Sequence, residues 1–302
     1  MKKLALISAL ASAVLLAGCA SAPKTHHNQV AYDPMLSRAN NICNVFYLNG
    51  QRDQLAPDNV ELRGSNIDAI NSWTGTAAMT ADIANLAGAN ALAGLYGAGL
   101  VLSLLSGPDV PDPCIAGYIP EADASTPNES RKVFIDRFML SLRDGILAID
   151  PKAKVTYTDD SVEDWSYDAQ LDVVSDVLGC TTKEAEPYKT CEIFVATLIV
   201  PDEPLIGSTI LGAEPGRYWI QDRSYLPVHF REGIRNEGKV DWNRVAFAAA
   251  KFMPPNTYLS MPVRKIDKNK FAPPFIVEKD RVNFFVVDKE NFDKQTERFG
   301  KR

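Results

Sequence analysis

Residues 126–150 carry both the start and the stop signal of one long amphipathic helix, the most clearly marked element of the sequence. The segment begins with Thr-Pro-Asn-Glu at 126–129, a capping box with proline at the first helical position. Proline at 151 ends the pattern, because its ring does not fit a helix interior. We therefore predict a helix from about 127 to 149. Its apolar stripe, at helical spacing, consists of Ile135, Met139, Leu142, Ile146 and Ile149.

Short runs rich in Val, Ile and aromatic residues dominate the chain after this helix. Residues 154–158 alternate in polarity, and the runs at 170–178 and 192–200 predict the two arms of a long hairpin. A second helix is predicted at 241–252, with Asp241 as its N-cap. We predict an α+β protein, in which an N-terminal helical, Gly/Ala-rich region precedes a mixed domain with a mainly antiparallel sheet and flanking helices. Further strands are predicted at 217–221, 258–263, 275–277 and 282–287.

A Gly/Ala-rich stretch precedes these elements, and residues 83–105 contain no charged side chain. Small residues recur there at four-residue spacing, which lets another helix approach closely, and Gly88, Gly94 and Ala98 are the helix-packing candidates. Three interpretations remain open. The stretch forms a buried helix or hairpin at 76–106, a membrane-inserting or oligomerising helix, or a flexible segment.

The first 20 residues have the pattern of an export signal. Lys2 and Lys3 precede an uncharged apolar run at 4–16, which is too short to span a bilayer. Leu-Ala-Gly-Cys follows at 16–19. This stretch resembles the signal peptide and lipobox of bacterial lipoproteins. The resemblance covers residues 1–20 only and implies nothing about the fold.

The resemblance implies that the Cys19 thiol carries diacylglycerol, that the chain is cut before Cys19 and that the new amine is acylated. Several acyl chains on one residue would hold the protein firmly in a lipid bilayer. In enteric-type lipoproteins an Asp after the cysteine favours retention at the inner membrane. Ala20 stands there in this chain, so the resemblance favours the outer membrane, facing the periplasm.

These signals predict five parts of the chain. They are a signal peptide at 1–18, a lipidated tether at 19–34, an N-terminal helical region at 35–125, a C-terminal α+β domain at 126–287 and a charged tail at 288–302. Short helices are predicted within the N-terminal region, at 34–44 and at 58–73. The proline-rich segment 107–127 is predicted to be a non-regular connector. The charged tail, with both signs alternating, is predicted to be solvated and frayed.

Cysteine parity favours disulfides. With Cys19 assigned to lipid, Cys43, Cys114, Cys180 and Cys191 remain, and an even number in an exported chain is typical of disulfide bonds. Three pairings are possible, and sequence proximity favours Cys43–Cys114 and Cys180–Cys191. A zinc site is the rival interpretation. The chain has no C-x-x-C pair and only three histidines, so we assign no metal ligand.

Charge disfavours nucleic acid as a partner. The formal net charge is −6, and removal of Lys2 and Lys3 with the leader makes it about −8. The sequence has no basic cluster that could neutralise phosphates. The same sign disfavours electrostatic attachment to anionic lipid.

No motif fixes a catalytic centre or a cofactor. His229 is the one histidine outside the tether, and the chain has no G-x-S-x-G elbow. Aromatic and acidic side chains cluster at 157–172, as in a sugar-hydrolysing site, although such clusters are also ordinary solvated loops. Arg217-Tyr218-Trp219 is interpreted as core packing or an exposed contact strand, with core packing favoured. The cluster contains Tyr157, Asp159, Asp160, Glu163, Asp164, Trp165, Tyr167, Asp168 and Asp172.

The sequence therefore favours a non-enzymatic function. We predict an envelope-anchored lipoprotein that acts as a structural or assembly component of a cell-envelope complex. Its expected partners are the bilayer, reached through acylated Cys19, and other envelope proteins. Two alternatives stay open. One is an envelope glycan hydrolase that uses the acidic cluster at 159–172, and the other is a pore or oligomer component that inserts residues 83–105.

Overall fold

The computed structural model describes residues 32–46, 58, 113–159, 169–180, 191–195, 200–207, 211–221, 228–231, 240–262, 264–265 and 271–299. Within these ranges the fold is α+β, as predicted, with four α-helices and antiparallel sheets of six and four strands. None of the helices in the described ranges is long and apolar enough to cross a membrane. The Gly/Ala-rich stretch, including Gly88, Gly94 and Ala98, lies outside the described residues.

The helices are α1 (Arg38–Phe46), α2 (Pro127–Ile149), α3 (Trp242–Ala249) and α4 (Lys289–Phe299). The prediction for α2 is confirmed at both ends, because Thr126 Oγ1 accepts a hydrogen bond from Glu129 N and proline opens the helix. Asp241 caps α3 by accepting from Arg244 N, also as predicted. The helix predicted at 34–44 is α1, and of the one predicted at 58–73 only Asp58 is described.

The larger sheet has the strand order β12-β11-β8-β1-β6-β5. Its strands are β1 (Cys114–Pro120), β5 (Leu205–Ile206), β6 (Arg217–Gln221), β8 (Thr257–Met261), β11 (Phe275–Glu278) and β12 (Arg281–Phe284). β1 lies between β6 and β8, with Gly117 opposite Gln221 on one side and Thr257 on the other. Position 117 has no room for a side chain, because a Cβ on Gly117 would lie 2.3 Å from the Asn256 carbonyl oxygen.

The smaller sheet has the order β2-β3-β4-β7, with β2 (Lys154–Thr158), β3 (Ala169–Val174), β4 (Cys191–Val195) and β7 (Val228–Arg231). β3 and β4 pair antiparallel, which confirms the predicted hairpin. A disulfide joins Cys180 to Cys191 at its loop end. A two-stranded ribbon, β9 (Arg264–Lys265) with β10 (Phe271–Ala272), completes the strands of the described ranges.

Two hydrophobic clusters define the layers. The first surrounds α2 and α3 and includes inward residues of both sheets, such as Ile115 on β1 and Leu171 on β3. The second lies on the other face of the six-stranded sheet and is covered by α1, with Phe46 packed against Tyr118 and Tyr258. The order is therefore α1, six-stranded sheet, α2 with α3, four-stranded sheet.

Two predictions were wrong. Part of the segment predicted as a non-regular connector, 114–120, is the strand β1, and it is buried on both faces. The strand pairs with β6 and β8 on its two sides and is buried between them. Its one proline, Pro120, stands at the strand end, where a missing N–H does little harm. Most of the tail predicted as frayed is the helix α4. Asp288 precedes its first residue and accepts a hydrogen bond from Asn291 N. The division into domains stays a prediction.

Candidate functional site

The described part of the chain begins with a turn that one buried asparagine, Asn41, holds together. The Asn41 Nδ2 group donates to the carbonyl oxygens of Asp33 at 3.0 Å, Leu36 at 3.2 Å and Ser37 at 3.0 Å. Its Oδ1 accepts from Asp33 N at 2.9 Å. A single side chain thus satisfies backbone groups of the turn that precedes α1, where orphan polar groups would otherwise cost stability.

Contacts from the far end of the sequence close this turn. Asp58 is 1% exposed, and its Oδ2 accepts from Ser37 N at 2.8 Å and from Gln295 Nε2 at 3.1 Å. Gln295 also donates to the Met35 carbonyl. Arg298 forms an ion pair with Asp33 at 2.9 Å. We name this group the N-terminal clasp; it consists of Asp33, Ser37, Asn41, Asp58, Gln295 and Arg298.

The clasp contains a carboxyl group in an unfavourable environment for its charge. Burial raises the pKa of Asp58, and the hydrogen bonds from Ser37 and Gln295 act in the opposite direction. Its second oxygen, Oδ1, is buried without a hydrogen-bond partner. The carboxylate of Asp58 therefore makes fewer hydrogen bonds in the clasp than it would in water, which lowers the stability that the clasp contributes.

A second polar group joins α2 to β2, at the described edge of the predicted acidic cluster. Lys132 Nζ contacts Asp159 and lies 3.3 Å from Asp136 Oδ2. Tyr157 donates its hydroxyl hydrogen to Asp136. The hydrogen bond to Asp159 raises the pKa of Lys132, and burial, followed by the bond to Asp136, raises that of Tyr157. One lysine is therefore shared between two carboxylates, and the group keeps one net negative charge.

The four-stranded sheet separates the two acidic residues of the cluster that the structure describes. Leu171 and Val173 point into the core, so Asp172 between them points to the opposite face, in register with Thr156. Asp159 contacts Lys132 on the α2 side. A glycosidase needs two carboxyl groups that flank one scissile bond, about 5–9.5 Å apart. Asp159 and Asp172 point to opposite faces of the sheet and do not share such a site.

The remaining acidic and aromatic residues proposed for that cluster lie outside the described residues. They are Asp160, Glu163, Asp164, Trp165, Tyr167 and Asp168. In the described ranges, no group of three or more His, Cys, Asp or Glu side chains is arranged to hold a metal ion.

No protein-family model, curated protein or solved structure matches this chain. The functional conclusions therefore depend on the leader and on the contacts of the described side chains.

His229 and the Tyr218-Trp219 pair are engaged in packing and hydrogen-bond contacts within the protein. The imidazole of His229 stacks on Phe194, with ring centroids 4.6 Å apart. Trp219 is buried and donates from Nε1 to the Ala124 carbonyl at 2.8 Å, while Tyr218 donates to the Glu214 carbonyl at 2.7 Å. Core packing, the favoured interpretation of the Tyr-Trp pair, is confirmed.

The predicted cysteine sites have different outcomes. Cys180 and Cys191 are bonded, as predicted. Cys43 on α1 and Cys114 on β1 are both buried and belong to the same hydrophobic cluster, and a bond between them stays a prediction. Cys19 lies outside the described residues.

Sequence reasoning missed the N-terminal clasp, because its partners are about 240–265 positions apart. One local signal was available. The pairs Lys289–Asp293 and Glu290–Lys294 have i,i+4 spacing, which stabilises a helix and would have predicted α4.

Proposed function

We propose that this protein is a bacterial lipoprotein, anchored in the cell envelope through acylated Cys19, and that it acts as a non-enzymatic assembly component. The observation that carries the proposal is the leader, in which Leu-Ala-Gly-Cys at 16–19 follows a charged start and a short apolar run. The outer membrane, with the body facing the periplasm, is the proposed location because Ala20 follows the cysteine.

The N-terminal clasp supports this proposal, because it holds the start of the described chain, with Asp33 only 14 positions after Cys19. A protein held by lipid at one end transmits force through its first folded residues. Here Asp33 is fixed by Asn41 and by Arg298, and Ser37 is fixed by Asp58. A body that is firmly attached to its anchor suits a component that positions partners at a membrane surface.

The two described carboxylates of the acidic cluster give no support to hydrolysis. Asp159 is paired with Lys132, and Asp172 lies on the other face of the sheet. Assembly needs neither residue, whereas a hydrolase built on the acidic cluster needs two carboxylates with a common target. The proposed partners are therefore envelope proteins, with no cofactor and no nucleic acid. A pore formed by residues 83–105 would use a segment outside the described ranges.

The anchor is tested with Cys19→Ala, with Cys114→Ala as a matched control that removes a different cysteine. We expect Cys19→Ala to abolish incorporation of radiolabelled palmitate and to move the protein from the membrane fraction to the soluble fraction. The control should keep both properties. Unchanged palmitate labelling and fractionation of Cys19→Ala would refute the lipoprotein assignment.

Assembly is tested by crosslinking in intact envelopes, followed by affinity capture and mass spectrometry. We expect reproducible envelope-protein partners, and we expect Asp159→Asn and Asp172→Asn to leave the phenotype and the captured set unchanged. A variant that keeps its fold and its partners but loses the phenotype would favour the hydrolase instead.

A further inference from the structure

The first described residues lie beside α4. Asp33 forms an ion pair with Arg298, and the carbonyl oxygen of Met35 accepts a hydrogen bond from Gln295. We name the surface formed by Tyr32, Asp33 and residues 289–298 the exit face. We propose that, in the acylated protein, the exit face lies against the surface of the anchoring bilayer; this inference rests on the proposed function.

The length of the anchored segment limits how the body can be oriented. Residues 19–31 number 13 and reach at most about 43–47 Å when fully extended. A compact chain of 271 residues, the number from 32 to 302, has a radius of gyration of about 18.5 Å and is therefore about 48 Å across. Even the longest reach does not exceed the width of such a body. When the body touches the bilayer, the exit point therefore cannot lie on the side that faces directly away from it.

The exit face carries little of the net negative charge of this acidic protein. α4 carries three acidic side chains, Glu290, Asp293 and Glu297, and three basic ones. The basic side chains form ion pairs, Lys289 with Asp293 at 2.8 Å, Lys294 with Glu290 at 2.6 Å and Arg298 with Asp33 at 2.9 Å. The helix is thus neutral, while the chain without its leader carries about −8. With Asp33 included, the exit face carries one net negative charge. Phospholipid surfaces of bacteria are anionic, so this face approaches them at a lower electrostatic cost than a strongly acidic face would.

The layer farthest from α1 provides reference positions for measuring the orientation. α1, which joins the clasp to the core, covers the six-stranded sheet, whereas the four-stranded sheet lies beyond α2 and α3. Thr156 on β2 and Val177 after β3 are exposed in that far layer. These two positions are the matched references for the exit face.

The orientation is measured by energy transfer from single fluorescent amino acids to an acceptor on lipid headgroups. The acylated full-length protein is placed in vesicles of phosphatidylethanolamine and phosphatidylglycerol, with the donor at Glu297, Thr156 or Val177. We expect the highest transfer efficiency from position 297. Equal or higher efficiency from 156 or 177 in vesicle-bound protein overturns the inference. Absence of acylation and of vesicle binding overturns the proposed function instead, so the two failures are distinguishable.

The charge argument has its own test. The double variant Lys289→Glu with Lys294→Glu makes α4 strongly acidic. The control is Lys154→Glu, which reverses one charge on β2, in the far layer. With the donor at 297, we expect the double reversal to lower the transfer efficiency in anionic vesicles and high salt to restore it. Far-ultraviolet circular dichroism verifies that α4 persists. An efficiency unchanged by the double reversal, or lowered equally by the control, contradicts an electrostatic contribution of the exit face.

Discussion

Removing the Cys180–Cys191 disulfide should lower the free energy of unfolding by an amount set by the length of the closed loop. The two cysteines are 11 positions apart. In the chain-entropy treatment, a loop of this length corresponds to about 9 cal/mol/K, or about 2.8 kcal/mol at 25 °C. Cys180→Ala with Cys191→Ala is the appropriate change, because both side chains are buried and alanine introduces no polar group.

The native structure near this bond should survive the substitution. Ser175 and Cys180 exchange two backbone hydrogen bonds, each 2.7 Å long, which close the turn at the end of β3 independently of the sulfur atoms. The loss should therefore come mainly from the unfolded chain, which gains the freedom that the bond had removed. We expect no change in the circular dichroism spectrum of the folded protein.

Urea denaturation of oxidised wild type and of the double variant, followed by circular dichroism, measures the difference. A second comparison uses the Cys114→Ala variant with and without reductant. This variant cannot form the predicted Cys43–Cys114 bond, so reduction opens Cys180–Cys191. The reduced protein and the double alanine variant should agree apart from small packing losses. A difference below about 1 kcal/mol between the oxidised and uncrosslinked forms would refute the loop-entropy reasoning.

Three further changes test particular contacts. Gly117→Ala should lower stability by about 1–3 kcal/mol, measured by thermal or urea unfolding, because its Cβ would lie 2.3 Å from the Asn256 carbonyl oxygen. Thr126→Ala should cost about 1 kcal/mol through loss of the α2 cap, while Thr126→Ser, which keeps the acceptor, should cost less. Burial raises the pKa of Asp58 above 3.8, so this carboxyl favours folding most below that pH and progressively less as pH rises through its folded pKa. The stability of Asp58→Asn relative to wild type should therefore increase over that interval; a pH-independent difference would contradict the burial argument.

Local signals were sufficient where an element is specified by its own residues. The cap at Thr126 and the apolar stripe of α2 predicted both ends of that helix, and the alternation at 154–158 predicted β2. The antiparallel hairpin of β3 and β4 followed from two Val- and Ile-rich runs of similar length. In each case the information lies within about 30 residues of sequence.

Signals were insufficient where an element depends on distant partners. β1 has apolar residues on both faces, so it lacks the period of two that marks a half-buried strand, and its neighbours β6 and β8 are about 100 and 140 positions away. The N-terminal clasp could not be predicted from the sequence for the same reason. The role of Gln295 becomes visible only when α4 is placed beside Met35 and Asp58.

The N-terminal clasp also determines the order in which the molecule can be completed. Gln295 follows Met35 by 260 residues, and at about 5–20 residues per second the ribosome needs about 13–52 s to make the chain between them. During that interval the carbonyl oxygen of Met35 and the carboxyl group of Asp58 lack the Gln295 amide that later donates to both. The first part of the body to be synthesised is therefore among the last to become fully bonded, and a chain released before its final dozen residues would carry an open N-terminal turn.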